Sequence, residues 1–426
     1  MRIHSTIALT AMAVALATPQ AVMAKTSTQE QLELAQQQIS QLQAQLNNLQ
    51  ARMDQQAATQ TQAAADAQAA SAKADQALAK ASAATEKASK PAALPKGLEW
   101  AANTKVSGRA YFNMSTVTQK VNGVKTENDG GFQLKRVYIG VDHKFNDMLS
   151  GNFTADTKNI SGTGEALYIK KAYLKAKFAK ELEVSLGSTD MPWIPYVEGI
   201  YGYRHVEKTT TDLFGYGTSA DWGVHAGGKL ADGLISYQVA AVNGRGYRDP
   251  NFTKTVDLEG RLSLQYKGFN AAIGGYTGKL GKDVEGASTP YRTASRFNAL
   301  LAYKGKDLGV PVTIGGEYFE AKNWKVDVLH AKDKAVGYSI FASVAPVDKW
   351  SVFGRYDWIK PNKDTANSKK GQFFDLGVQY SPAKIVDLAL VYKHYDGDNG
   401  FKGGDLGVSG LTSKRDEFGL FGQFRF

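Results

Sequence analysis

The sequence of 426 residues contains no cysteine, which excludes a disulfide framework, thiolate metal sites and a cysteine nucleophile. No window reaches the ~18 consecutive apolar residues of a membrane-crossing helix. A mature chain that entered a bilayer would therefore do so as a closed barrel, the other structure that satisfies every backbone group in lipid. The six histidines (His4, His143, His205, His225, His330 and His394) lack metal-binding spacing, and neither a GxSxG elbow nor a phosphate loop is present. No metal, cofactor or catalytic constellation is expected, and the chain does not read as an enzyme. The formal charge of +10 is spread along the sequence instead of gathered in a tract, which argues against a nucleic-acid partner. Glycine, tyrosine and phenylalanine number 43, 20 and 19, yet they are almost absent from the first hundred residues. Composition thus divides the chain.

Residues 1–24 open with Arg2 and His4, run through an apolar stretch from Ile7 to Ala17 and close on Val22-Met23-Ala24, which reads as a secretory signal peptide. From Leu32 the apolar residues recur at spacings of three and four: Leu32, Ala35, Ile39, Leu42, Leu46, Leu49 and Met53. The frame then continues in alanine alone, at Ala63, Ala67, Ala70, Ala74, Ala77, Ala81, Ala84 and Ala88. This heptad seam predicts a long helix from about Ser27 to Lys90, within a coiled-coil region spanning 25–90. A single helix with one narrow stripe is unstable alone, so self-association is expected, and a disordered Ala/Gln-rich linker is the competing reading. Pro91 and Pro95 end the rod, and 91–103 reads as a linker.

Beyond Thr104 the apolar period falls from three and a half to two, which predicts strands over 104–426. Alternation is evident in Val106–Phe112, Leu149–Asp156, Leu258–Tyr266, Phe297–Tyr303, Val312–Tyr318, Trp350–Trp358 and Val386–Tyr392, and such runs number about sixteen. Short connections such as Tyr266-Lys267-Gly268 alternate with long polar ones, among them Thr118–Gly130 and Gly278–Thr293. One set of positions ends in Tyr, Trp or Phe near the turns, while the opposite set carries charge in nearly every strand. A dry sandwich core would bury those ions at several kcal/mol each unless they were paired; a water-filled lumen would not. The expected fold is an all-β transmembrane barrel of about 16 antiparallel strands preceded by an α-helical coiled coil, located in a bacterial outer membrane with the arm in the periplasm.

The last strand, Glu417–Phe426, resembles the terminal signature of outer-membrane barrel proteins. Gly108-Arg109, Leu134–Asp142, Asn152–Asp156 and Ile169–Leu174 through Val184–Gly187 resemble the opening hairpins of the phosphate-selective porins O and P, and the heptad arm resembles that of sucrose porins. The first resemblance implies a homotrimer with pores lined by lysine and arginine and narrowed by an infolded loop. On that basis the anion-attracting, pore-lining candidates are Arg109, Arg136, Lys171, Lys175, Lys177, Arg261, Arg296 and Arg355. The segment Asp190–Gly217 is the expected constriction loop, with Trp193, Tyr196, Tyr201, Arg204 and His205 as its candidate residues. The expected activity is passive diffusion of small hydrophilic solutes with a mild anion preference, phosphate among the candidates, because acidic residues on the same faces partly cancel the field. Two alternatives stand beside it: a sugar pore in which Trp193, Tyr196, Tyr201 and Tyr203 stack on pyranose rings, and a tether to the cell wall. Expected partners are membrane lipid and lipopolysaccharide, further copies of the chain, peptidoglycan through the coiled coil, and small anions or sugars as permeants.

Overall fold

A computed structural model describes residues 28–88, 97, 99–160, 164–285, 291–325, 332–401 and 411–426. The expected signal peptide and most of the expected linker lie outside these residues. The chain divides into two compact units, Met1–Ala93 and Leu94–Phe426.

The first unit is one helix, α1 (Thr28–Ala88), of 61 residues. It contains neither glycine nor proline, and its alanines and glutamines are good helix formers. Ser40, Thr59 and Thr61 return their hydroxyls to the carbonyls of Gln36, Gln55 and Ala57, so they bond without breaking the ladder. At ~1.5 Å per residue the rod is about 90 Å long. Leu32, Ile39, Leu42, Leu46, Leu49 and Met53 are all more than half exposed in the single chain.

The second unit is a closed antiparallel barrel in which each strand pairs with its sequence neighbours and β1 pairs with β16. The strands are β1 (Thr104–Val121), β2 (Val124–Lys144), β3 (Leu149–Ile160), β4 (Gly164–Lys177), β5 (Glu183–Asp190), β6 (Ala220–Leu230), β7 (Ile235–Val242) and β8 (Asp257–Tyr266). They continue with β9 (Phe269–Gly278), β10 (Ala294–Gly305), β11 (Val312–Lys322), β12 (Lys334–Val347), β13 (Trp350–Lys360), β14 (Lys370–Ala383), β15 (Val386–Asp398) and β16 (Thr412–Arg425). Closure is completed by reciprocal backbone hydrogen bonds of 3.0 Å between Gly108 and Phe426, so the first and last strands do not end the sheet in free edges.

At the rim where β1 begins, the connections are short turns, such as Lys267-Gly268 and Asp348-Lys349. At the opposite rim most are longer loops, and we number these L1 to L8 in chain order. L1 departs from expectation. Thr118–Gly130 is not a long connection; β1 and β2 run through it and turn on Asn122-Gly123 alone, at φ of 52° and 80°. Paired left-handed residues of this kind match the strand twist in a two-residue hairpin, and polar content by itself does not distinguish an exposed hairpin tip from a loop.

Side chains alternate between faces as the period of two requires. Outward positions carry exposed Leu, Ile and Val, bordered near the rims by aromatic pairs such as Phe269–Tyr303, Trp350–Tyr380 and Tyr338–Trp358, with ring centroids 5.1, 4.7 and 5.2 Å apart. The register shifts at several points along the ladder, and at two of them the extra residue is a lysine. Between β1 and β2, Tyr111 faces Arg136 but Phe112 faces Leu134, so Lys135 is an extra residue. Between β3 and β4, Thr154 faces Lys171 but Ala155 faces Ile169, so Lys170 is extra. Each is a β-bulge, which lets two consecutive side chains point the same way.

Candidate functional site

L3, between β5 and β6, folds into the barrel instead of projecting from it. Its two short helices are α2 (Ile194–Tyr201) and α3 (Thr210–Leu213). Pro195 sits in the first turn of α2, where a missing N–H costs nothing, and Gly202, at φ 87°, ends it with its N–H on the Glu198 carbonyl at 2.9 Å. Ile194, Val197, Ile200 and Tyr201 form the buried face of α2. They pack with Leu300, Phe341, Phe353, Val391 and Phe421 of the wall. Farther along, Leu213, Phe214 and Tyr216 pack with Phe319, Ile359, Phe373 and Tyr395.

Polar contacts fix the same docking. Trp193 donates its indole N–H to Glu317 at 2.7 Å and its backbone N–H to Glu259 at 3.0 Å. Thr211 donates to Glu317 at 2.5 Å, the Tyr201 hydroxyl to Asp375 at 3.2 Å, and the Tyr203 hydroxyl to Ser351 at 3.0 Å. Beneath the loop lie the ion pairs Arg296–Glu259 at 2.9 Å and Arg355–Asp357 at 3.1 Å, all four side chains at most 2% exposed. Lys393 bridges Glu207 of L3 and Glu417 of β16, at 3.2 Å to each.

These contacts revise several sequence-based assignments. Arg296 and Arg355 do point inward, but L3 covers them, so they serve as anchors and not as lining of an open pore. Trp193, Tyr201 and Tyr203 likewise turn their rings to the wall, Tyr203 stacking on Phe353 at 3.9 Å. They hold the loop and offer no sugar-binding faces. Tyr196 is half-buried, with the Arg261 guanidinium 4.1 Å above its ring, and Arg261 also donates to the Pro192 carbonyl at 2.8 Å.

Open space remains against the other wall, as three consecutive cavities. One of about 630 Å³ near the short-turn rim is lined by Lys175, Lys177, Lys229 and Arg261. The next, about 580 Å³, is lined by Arg109, Lys170, Lys171, Arg204, His205 and Arg425. The third, about 630 Å³, lies toward the loop rim and is lined by Lys135, Arg136, Lys208, Lys393 and Arg415. The first two share Tyr173 and Asp190, and the second and third share Tyr111 and Arg204.

Arg204 stands on L3 facing this wall, positioned by Glu198 at 2.6 Å, with Asp212 at 4.0 Å. Opposite it, Arg136 pairs with Asp156 at 3.4 Å, and Lys135 donates to the Val206 carbonyl at 2.8 Å. Lys171 pairs with Asp190 at 2.5 Å and Lys175 with Glu183 at 3.1 Å. Lys170 and Arg109 have no carboxylate within 4 Å among the described residues. Strict alternation on β2 and β4 predicts Arg136 and Lys171 but not Lys135 or Lys170; the bulges bring both members of each pair to the lumen. The available sign was two adjacent bases inside an otherwise alternating strand. His205 is 1% exposed and neither ring nitrogen has a protein partner. Burial, with help from Lys135, Arg425 and Lys393 against the pull of Asp387, drives its imidazole down to about 3, so it is uncharged at neutral pH.

A closed barrel of sixteen strands, half-filled by an infolded third loop beside a basic wall, is an architecture found among outer-membrane porins. No family model matches the chain, and no curated protein sequence does. Solved structures are similar to it at the level of fold. An anion-selective porin from Comamonas acidovorans aligns with a TM-score of 0.58 at 13% identity, covering 76% of this chain and 99% of that one. The outer membrane channel DcaP of Acinetobacter baumannii aligns at 0.53 and 14% identity, covering 76% and 97%. OprB of Pseudomonas putida aligns at 0.52 and 10% identity, covering 76% and 94%.

Proposed function

We propose that this protein is an outer-membrane porin that passes small hydrophilic solutes by diffusion and favours anions. The observation that carries the reading is the doubled set of bases, Lys135-Arg136 and Lys170-Lys171, opposite Arg204 at the height of L3. In a narrow channel with low-dielectric walls such a cluster concentrates anions and repels cations. Asp156, Asp190, Glu183 and Glu198 neutralise part of it, which is consistent with a preference and not exclusion. Phosphate is one permeant this chemistry suits, since several N–H donors can share its oxygens. The chain is secreted through its first 24 residues, inserts among lipid and lipopolysaccharide, and assembles as a homotrimer with α1 as a periplasmic coiled coil available to peptidoglycan. The exposed leucine seam supports the self-association. A sugar-selective pore is less well supported, because three of the four rings it would use are buried.

The test is the reversal potential of the purified protein in a planar bilayer across a salt gradient, repeated with phosphate and with maltose. Anion preference and block by phosphate are expected. Cation preference would overturn the selectivity, and a silent barrel would favour the tether. Ile39→Asp with Leu46→Asp should disperse the oligomer on native gels while leaving each barrel folded.

A further inference from the structure

Three neighbouring cations of the open wall and L4 are faced by tyrosine rings. From β2 across β4 to L4 (residues 243–256), bases and rings alternate. The Arg136 guanidinium lies 5.9 Å from the Tyr138 ring and donates to its hydroxyl at 2.9 Å. The Lys170 ammonium is 4.8 Å from the same ring and 5.9 Å from that of Tyr247. Arg248 then lies 5.2 Å from Tyr247 and 5.2 Å from Tyr168. L4 is held to the wall by the Tyr247 hydroxyl, which donates to Asp156 at 2.7 Å. Asp156 also receives Arg136, and it is the one carboxylate within ion-pair distance of the three bases among the described residues. Arg248 is exposed, and Tyr168 and Lys170 are half-buried.

A carboxylate partner would cancel the field of a cation; a ring orients the cation through its quadrupole and leaves the charge in place. The ladder therefore offers a permeant two things together: positive charge on Lys170 and Arg248, which have no carboxylate within 4 Å among the described residues, and flat faces, guanidinium as well as phenol, against which a ring can lie. A simple inorganic anion uses only the first. We infer that this ladder favours aromatic carboxylates, a planar ring bearing a carboxylate, over aliphatic ones of equal charge, with Lys170 taking the carboxylate and Arg248 with Tyr168 taking the ring. The inference rests on the anion-porin reading and narrows its substrate class.

The full chain in planar bilayers, with chloride, acetate and benzoate as probes, tests it. Benzoate should reduce chloride current saturably and bind about two- to fivefold more tightly than acetate, the scale of one partly exposed cation–π contact. Arg248→Gln and Tyr168→Leu should each bring benzoate to the level of acetate, and Arg248→Lys, which keeps the charge but loses the plane, should fall between. Lys254→Gln, on the same loop outside the ladder, should leave the discrimination as it was. Equal behaviour of benzoate and acetate in the unmodified protein, with chloride still preferred over potassium, would overturn the ladder alone, as would discrimination that survives both Arg248→Gln and Tyr168→Leu. A channel that prefers potassium, or none at all, would overturn the anion-porin reading beneath it.

Discussion

The lumen has two sides built from the same alternating strands and the same residue types, yet their charges do opposite work. Along β8 to β15, Glu259, Arg296, Glu317, Arg355, Asp357 and Asp375 lie under L3, paired with one another or with the loop. Along β1 to β4, Arg109, Lys135, Arg136, Lys170 and Lys171 border open cavities. An inward charge is a structural rivet where a loop excludes water and a field source where it does not. The strand pattern is the same in both cases; the cover decides.

Breaking the covered side should cost stability first. Arg355→Leu leaves Asp357 and Asp375 buried without the guanidinium they share, a loss of about 3–5 kcal/mol, read as a lower midpoint of urea unfolding in detergent or liposomes, with anion preference retained. Trp193→Ala removes a fully buried side chain and its bond to Glu317, a loss of about 3 kcal/mol. Because that side chain anchors L3, single-channel conductance should rise and grow noisier; a tightly quiet channel of unchanged size would mean the loop is held without it.

The open side should respond in selectivity. Lys135→Glu with Lys170→Glu should lower the anion-to-cation permeability ratio by about tenfold, seen as a reversal potential of opposite sign, with a smaller fall in the unfolding midpoint than on the covered side. The smallest effect sharpens the contrast by being absent. His205 is neutral above about pH 3, so selectivity should not titrate near the usual histidine value of about 6.5. A step in reversal potential there, abolished by His205→Gln, would show that water reaches the imidazole.

Much of this was legible in the sequence. Period-two runs and terminal aromatics reveal the strands, because lipid outside and polar space inside impose opposite demands on neighbouring residues. Asp190–Gly217 stands out as a loop too apolar for solvent, and it is the one that folds inward. Which way its rings turn was not legible: Trp193 and Tyr201 read equally as pore surface or as anchors, since composition carries no direction. The bulges at Lys135 and Lys170 escaped for a related reason. Each shifts the register by one residue, and the paired bases that mark the spot fit an exposed lysine beside an inward arginine as well as they fit a bulge. Arg248 escaped because an irregular loop has no period to read.

One consequence follows from L3 being a tenant of the barrel and not part of its wall. Sixteen hydrogen-bonded staves set only the outer gauge, and that gauge is wide. The calibre delivered to a solute is set by one insert of about thirty residues, docked through side chains of the wall, Phe421 of β16 among them, and not through the backbone hydrogen bonds that pair β1 with β16. Bore and cask can therefore change independently: lengthening, trimming or recharging the insert retunes traffic while the hoop of strands, and the lipid-facing surface that goes with it, stays as it was.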